Sequence, residues 1–296
     1  MAQNLIVKKI LILGASGLIG HQVYFQFKAN NNYDVYNFSH QRKIANDTLL
    51  LDARNEHFLE KSIVDIKPDF IINCMGVLIA ESNRNPENAI FLNAYIPQRL
   101  KIIANTIDAK LIHISTDCVF SGKKGSYIED DVKDADDIYG RAKALGEVTE
   151  SPHLTLRTSV VGPEIKEGGE ELFHWFMRQE SKIKGFKKSF WSGVTTLELA
   201  KAVEWAIEND IKGLYHITNG QSISKYDLLL MFKKYTKKNI EVEATEGRIT
   251  NKSFLDTRQE ISYVIPNYDQ MLKSMIEHIT KNRELYSQYK VGAVIK

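Results

Sequence analysis

Tyr139 and Lys143 stand four residues apart in Asp136–Glu147, DDIYGRAKALGE, a stretch that otherwise reads as the start of a helix. On a helix that spacing sets a phenol and an ammonium on one face, a single turn apart. A free tyrosine titrates near pH ~10, and an ammonium within roughly 4–6 Å favours the phenolate and lowers that value. Such a pair can pass a proton to a carbonyl oxygen as hydride reaches the carbon. The phenol would then be recharged through solvent and a cofactor ribose that Lys143 also holds. Tyrosine and lysine at this spacing are also common on solvated helix faces, so the chemistry requires a third group. His113–Gly122, HISTDCVFSG, supplies it, because an apolar strand there ends in the hydroxyls of Ser115 and Thr116. At a strand's carboxyl end Thr116 would point into the crevice where open α/β sheets bind ligands, and bond the same oxygen.

A second set of residues concerns the hydride donor. The apolar run Lys9–Leu13 leads into Gly14-Ala15-Ser16-Gly17-Leu18-Ile19-Gly20, glycines spaced three and three where a strand gives way to a helix. Glycine lets the backbone approach a pyrophosphate, and the helix N-terminus offers unpaired N–H groups and a favourable dipole. About 20 residues on, an acidic residue would bind the ribose 2′-hydroxyl of NAD. Here the chain reads Asn37-Phe-Ser-His-Gln-Arg42-Lys43, with no carboxylate and two cations. Cations suit a 2′-phosphate, so NADPH is favoured over NADH, with Arg42 as a contact. Asp52, closing the third strand beside Ala53, would meet the adenine side.

These groups need a scaffold, and the chain is large enough to build one. Of its 296 residues 43% are hydrophobic, which suits one large domain or two closely joined ones. With 39 basic and 37 acidic side chains the formal charge is +2, so no overall field draws the molecule to nucleic acid or an anionic membrane. Cys74 and Cys118 make no disulfide framework, which predicts a reducing, cytoplasmic setting, and no histidines stand at metal-ligand spacing near a cysteine, so no metal is expected. The N-terminus superficially resembles a signal peptide, but glycines and a serine break its apolar run after Leu13, and no run approaches the ~18 residues of a membrane span.

Strand-like and helical segments then alternate. After Lys9–Leu13 come a helix over Leu18–Lys28, strands at Asp34–Ser39 and Leu49–Asp52, a helix at EHFLEKSIVDIK and a strand at Asp69–Cys74. A long helix over Pro86–Ile107, the strand Ala109–Ser115, the helix holding Tyr139 and the strand His153–Ser159 follow. This alternation predicts crossover units and a Rossmann-type, doubly wound parallel α/β sheet. From Gly162 the rhythm changes to helices near Leu197–Glu208, Lys225–Lys234 and Tyr268–Lys281, with strands such as Gly213–Thr218 between them. The expectation is an NADP-binding domain over residues 1–160 and a smaller substrate-binding lobe over 161–296, interleaved with late sheet elements and separated by a cleft.

GASGLIG, IINCMG, ENAIFLNA, ISTDCVF, IYGRAKALGE and LRTSVVG occur in the order seen in extended short-chain dehydrogenases/reductases. Over roughly Lys9–Gly162 the chain most resembles the dTDP-4-dehydrorhamnose reductase group, which acts on nucleotide-linked sugars. The resemblance implies hydride transfer from NADPH to a 4-keto-6-deoxy sugar, a product destined for surface polysaccharide, and dimers are common in the group. It implies a catalytic triad at Thr116, Tyr139 and Lys143. It implies a cofactor shell at Gly14, Gly17, Gly20, Asp52, Asn73, Cys74, Met75 and Asn93, to which Ser16, Leu18, Ile19, Ala53 and Ser115 are added as neighbours.

The departures lie on the substrate side. Cys118 stands where these reductases usually carry tyrosine, and Val160 where they usually carry tryptophan. Dehydratases resembling this chain place a glutamate at the position of Cys118, and GDP-fucose synthase, an epimerase-reductase, a cysteine. A thiol there could exchange a proton at sugar carbon 3 or 5 if a second base such as His174 faced it, although a small space-filling side chain is the commoner role. Asp117, Val119 and Phe120 are expected to line the substrate with Cys118. In Ser181–Trp191, SKIKGFKKSFW, Lys187 could meet a diphosphate and Trp191 could stack on the base or sugar. The group also resembles a cofactor-binding regulatory subunit of methionine adenosyltransferase, so a non-catalytic role on the same scaffold is the alternative of a different class.

Overall fold

Ile10–Leu13 are fully buried, as an apolar run covered on both faces requires. They belong to the first strand of a sheet in the structure, a computed structural model that describes residues 7–255, 257 and 262–291. In chain order the elements begin with β1 (Lys8–Leu13), α1 (Gly20–Lys28), β2 (Tyr33–Ser39), β3 (Leu49–Leu50), α2 (Glu56–Ile66) and β4 (Phe70–Asn73). Next come α3 (Ile79–Arg84), α4 (Pro86–Ile90), a π turn over Phe91–Tyr95, α5 (Ile96–Thr106), β5 (Lys110–Thr116), α6 (Ile138–Gly146), β6 (Leu154–Thr158) and β7 (Val160–Val161). The rest are α7 (Leu172–Arg178), β8 (Lys182–Phe186), β9 (Ser189–Trp191), β10 (Val194–Thr195), α8 (Thr196–Glu208), β11 (Gly213–His216), β12 (Ile223–Ser224), α9 (Lys225–Thr236), β13 (Glu241–Thr245), β14 (Thr250–Asn251) and α10 (Tyr268–Lys281).

The chain divides into two units. The first takes the described residues up to Val119 with Lys133–Arg157 and Ala200–Tyr215; the second takes Phe120–Val132, Thr158–Leu199 and the described residues from His216 onward. A seven-stranded sheet in the order β11-β6-β5-β4-β1-β2-β3 forms the centre of the first unit. β1 pairs in parallel with both β2 and β4, so the strand order reverses beside it and a ligand crevice opens at the carboxyl ends of β1 and β4. Leu11, Leu13, Ile71 and Leu111 of the sheet pack against Leu59 and Ile63 of α2 and Leu100 and Ile103 of α5, closing one face.

The second unit pairs β7 with β10, β8 with β13, and β9 with both β12 and β14. Phe173 and Phe176 of α7 pack edge-on against Phe232 of α9 at 5.3 and 5.6 Å. The stretch Ser181–Trp191, read from its lysines as a diphosphate-binding run, contributes two of these strands. In β8 Ile183 is buried while Lys182 and Lys184 are exposed, a period-two pattern that the lysine count concealed.

Candidate active site

At the end of β1 the backbone turns sharply, and at two of its glycines the turn has no room for a side chain. Gly14 takes φ +77°, and a Cβ there would lie 3.0 Å from the Cys74 carbonyl group and the Met75 nitrogen at the end of β4. A Cβ on Gly20, where α1 begins, would lie 2.1 Å from the Gly14 carbonyl oxygen. Backbone bonds from Gly14 and Ala15 to the Phe38 carbonyl, at 3.0 and 2.9 Å, tie the turn to β2. Ser16 lies buried in it, with Leu18 and Ile19 half-buried.

β2 ends in buried polar groups. Asn37 and Ser39 are buried, and Asn37 Oδ1 and Ser39 Oγ have no hydrogen-bond partner within the protein. Arg42 and Lys43 follow in exposed positions. Asp52 lies just past β3, 3.6 Å from His40 Nε2, and Ala53 beside it is buried. A turn whose backbone leaves no room for a Cβ at Gly14 or Gly20, orphaned polar atoms at the second strand and nearby cations fit a phosphorylated dinucleotide.

On the other side of β1 stand β4 and the segment after it. Asn73, fully buried, accepts from Met75 N at 3.1 Å and faces His113 Nδ1 at 3.1 Å through its amide nitrogen. Burial pushes the Cys74 thiol up to about 12, with Lys143 opposing. Asn93 sits on the π turn, and both ends of its amide are engaged by the Val77 backbone at 3.0 Å. It thus shapes the loop after β4, where the resemblance had placed it around the cofactor. Ser115 likewise turns inward, donating to Glu147 Oε1 at 2.7 Å.

Thr116 ends β5, and the chain enters a tight turn over Asp117–Val119. The Thr116 hydroxyl donates to Asp117 Oδ1 at 3.1 Å and accepts from Cys118 N at 3.2 Å. α6 comes close to this turn because its third residue is glycine: a Cβ on Gly140 would lie 2.1 Å from the Cys118 carbonyl oxygen. Asp137 caps the helix by accepting from Gly140 N at 2.7 Å. Tyr139 is thereby buried and hydrogen-bonded to Thr116. One turn later Lys143, also buried, donates to the Ile114 carbonyl at 2.6 Å and lies 3.4 Å from His113 Nε2.

The titrations correct one expectation. Burial raises Tyr139 above the ordinary phenol value, the nearby Cys118 thiol adds to this, and the hydrogen bond with Thr116 opposes it. The anticipated lowering by Lys143 does not offset this burial, and Lys143 Nζ is directed instead to the Ile114 carbonyl and His113. Lys143 itself is lowered to about 8 by burial, against the attraction of Glu147 and Cys74.

Glu147 was missed as a functional residue, although it closes the quoted helix motif. It accepts from Arg157 Nε and the Arg157 terminal nitrogen, each at 2.8 Å, as well as from Ser115, and lies 3.1 Å from Lys133. Burial opposes its charge, but the bonds and attraction of Arg157, with Lys133 and Ser115, hold it below the ordinary carboxylate value. This buried ion pair anchors the end of α6 to β5 and β6.

The expected substrate residues fare differently. Cys118 stays half-buried, near enough to Tyr139 to act on its titration. Asp117 is buried and accepts from Thr116. Val119 and Phe120 are fully buried, and Phe120 stacks on Tyr127 at 4.1 Å, so both are packing residues and not an open substrate wall. Trp191 is 6% exposed and packs on Tyr268 at 5.5 Å, which removes it as a stacking platform. Lys187 is exposed over the Tyr226 ring at 5.9 Å, while Lys182 pairs with Glu241 and Glu243 and Lys188 with Glu246. Both ring nitrogens of His174 are engaged, by the Tyr289 hydroxyl at 2.6 Å and the Glu167 carbonyl at 3.1 Å, so it offers no ready second base. Among the described residues no group of three acidic, histidine or cysteine side chains could hold a metal, and no helix is long and apolar enough to cross a membrane.

Relatives bear on the whole of this arrangement. Methionine adenosyltransferase 2 subunit beta from Bos taurus is 27% identical over 248 residues, covering 76% of this chain and 71% of that protein. The dTDP-4-dehydrorhamnose reductase of Escherichia coli (strain K12) is 23% identical over 297 residues, 91% of this chain and 97% of its own. The crystal structure of dTDP-4-dehydrorhamnose reductase from Bacillus anthracis str. Ames in complex with NADP superposes with a TM-score of 0.79 at 22% identity, covering 92% of this chain and 99% of that one, a likeness of fold. The family model described as RmlD substrate binding domain matches residues 8–280. A Rossmann-type sheet, the glycine turn at its switch point and that match together mean that the chain belongs to the RmlD substrate binding domain family, within the extended short-chain dehydrogenase/reductase superfamily.

Proposed function

We propose that the chain is an NADPH-dependent reductase of a nucleotide-linked 4-keto-6-deoxy sugar, making a deoxy-sugar nucleotide for surface polysaccharide. What supports this is the hydrogen-bonded pair Thr116–Tyr139, one helical turn from buried Lys143, in a sheet whose first strand ends in a turn with no room for a Cβ at Gly14 or Gly20. NADPH, when bound, supplies the hydride. The turn from Gly14 to Gly20 would hold its pyrophosphate, Arg42 its 2′-phosphate and Lys143 a ribose hydroxyl.

Thr116 and Tyr139 would grip the carbonyl oxygen of the sugar. Because burial keeps Tyr139 protonated at neutral pH, it enters as the acid and gives its proton as negative charge gathers on that oxygen. The Thr116 hydroxyl, turning its one hydrogen away from Asp117, would then donate to the phenolate left behind.

The test is mass spectrometry of products from dTDP-, UDP- and GDP-linked 4-keto-6-deoxy sugars incubated with the protein and NADPH in deuterated water. Reduction without solvent deuterium at carbons 3 and 5 supports the reductase reading. Deuterium there beyond enzyme-free exchange makes Cys118 a proton-transfer residue and the protein an epimerase-reductase. The likeness to methionine adenosyltransferase 2 subunit beta favours a second reading, a cofactor-binding regulatory subunit. NADPH binding without turnover of any sugar, together with co-elution with a methionine adenosyltransferase catalytic chain, would select it.

A further inference from the structure

Behind Lys143 lies a buried chain of polar groups whose hydrogens can be placed in only one way. Met75 N–H donates to Asn73 Oδ1 at 3.1 Å, which fixes the amide and leaves Asn73 Nδ2 to face His113 Nδ1 at 3.1 Å. Nδ2 is a donor, so His113 Nδ1 must be the bare nitrogen and the ring proton must sit on Nε2. Nε2 faces Lys143 Nζ at 3.4 Å, and Lys143 Nζ donates to the Ile114 carbonyl at 2.6 Å. An N–H facing an ammonium opposes it, whereas the same N–H can donate to the lone pair of a neutral amine.

We propose that His113, locked by Asn73 in the Nε2–H tautomer, is a positioning residue that holds Lys143 as an exchanging amine and not as a permanent cation. The inference rests on Lys143 belonging to the reducing site. Both His113 and Asn73 are fully buried, so no water competes for these bonds without displacing them. Burial and the Lys143 charge lower His113 well below the ordinary imidazole value, consistent with a ring that stays neutral. The other charged or titrating groups that act on Lys143 are Glu147 and Cys74, both of which favour its cationic form. In this arrangement Lys143 can take up and release a proton close to neutral pH, next to the tyrosine that must be reprotonated after each turnover.

The experiment uses the full chain without cofactor, labelled with [15N]histidine and [ε-13C]lysine. The Lys143 resonance is the one missing from Lys143→Met, and the His113 signals are those missing from His113→Gln. Long-range proton–nitrogen spectra should show His113 Nδ1 bare and Nε2 protonated, and the Lys143 carbon should titrate well below free lysine. His113→Gln, which can offer an amide oxygen to the ammonium, should move that midpoint up by about one pH unit or more, a tenfold change in proton affinity. An Nδ1–H tautomer, or a folded His113→Gln whose Lys143 midpoint is unchanged, overturns the proposal. If His113→Gln fails to fold, His113 is assigned from His113→Asn, and the tautomer with the wild-type midpoint decides the matter. These titrations need no sugar, so their failure leaves the reductase reading standing, and failure of the sugar panel leaves them interpretable.

Discussion

Two buried glutamates, Glu147 just past α6 in the first unit and Glu171 at the start of α7 in the second, are each 8% exposed and yet titrate in opposite directions. Glu147 is met by Arg157, Lys133 and Ser115 and stays below the ordinary carboxylate value. Glu171 meets only peptide groups, with Oε2 accepting from Phe173 N at 2.8 Å and Oε1 without a partner within the protein. Burial pushes it up to about 8, against the lowering by backbone hydrogen bonds and with Glu164 adding to the rise. Backbone dipoles suffice to cap a helix, but not to hold a buried charge; a guanidinium does.

The contrast has a sign in pH. Glu147, with its folded value lowered, contributes stability above the ordinary 4.5 that is lost as pH falls through its folded value. Glu171, raised from 4.5 to about 8, contributes stability below 4.5 that is lost as pH rises toward 8. Acid should therefore loosen the first unit's α6 anchor, and a rise from pH 5 toward 8 the start of α7.

The sharpest break in the comparison is Arg157→Met, which leaves the buried Glu147 charge with Lys133 and Ser115 alone. It should cost about 3–5 kcal/mol in urea unfolding at pH 7, and a loss under about 1 kcal/mol would mean that Lys133 suffices. Tyr139→Phe asks whether the anchored helix serves chemistry: turnover should fall by about 10²-fold or more while NADPH binding persists, and equal activity would end the proposed mechanism. Glu171→Gln should remove the second unit's stability loss between pH 5 and 8, of order 2 kcal/mol, with wild type and variant compared by thermal melts at each pH. The smallest effect is Arg42→Ala, expected to weaken NADPH by about tenfold and NADH hardly at all in fluorescence titration.

The sequence showed the first unit far better than the second, for physical reasons. Strands covered on both faces must be continuous apolar runs, and a phosphate turn must be glycine, so β1, β4, β5 and the Gly14 turn were legible as local patterns. The long helix expected over Pro86–Ile107 is present, but the π turn that brings Asn93 to Val77 has no local signature. Val119, Phe120 and Trp191 look identical on paper whether they face a ligand or Tyr127 and Tyr268, and only tertiary packing tells them apart. His113 was quoted within its motif, yet its partners Asn73 and Lys143 are distant in sequence and meet only when β4, β5 and α6 are assembled.

Gly140 and Gly146 give α6 a registration mark at each end. A methyl group on the first would strike the Cys118 carbonyl, and on the second would lie 2.0 Å from the Asn93 carbonyl. Sliding the helix by one residue would drive a side chain into both contacts at once, so the phenol and the amine keep their spacing whatever happens to the solvent-facing residues between them. The helix works as a key cut with two notches: sequence drift on its outer face is harmless, while a single inserted residue would jam it.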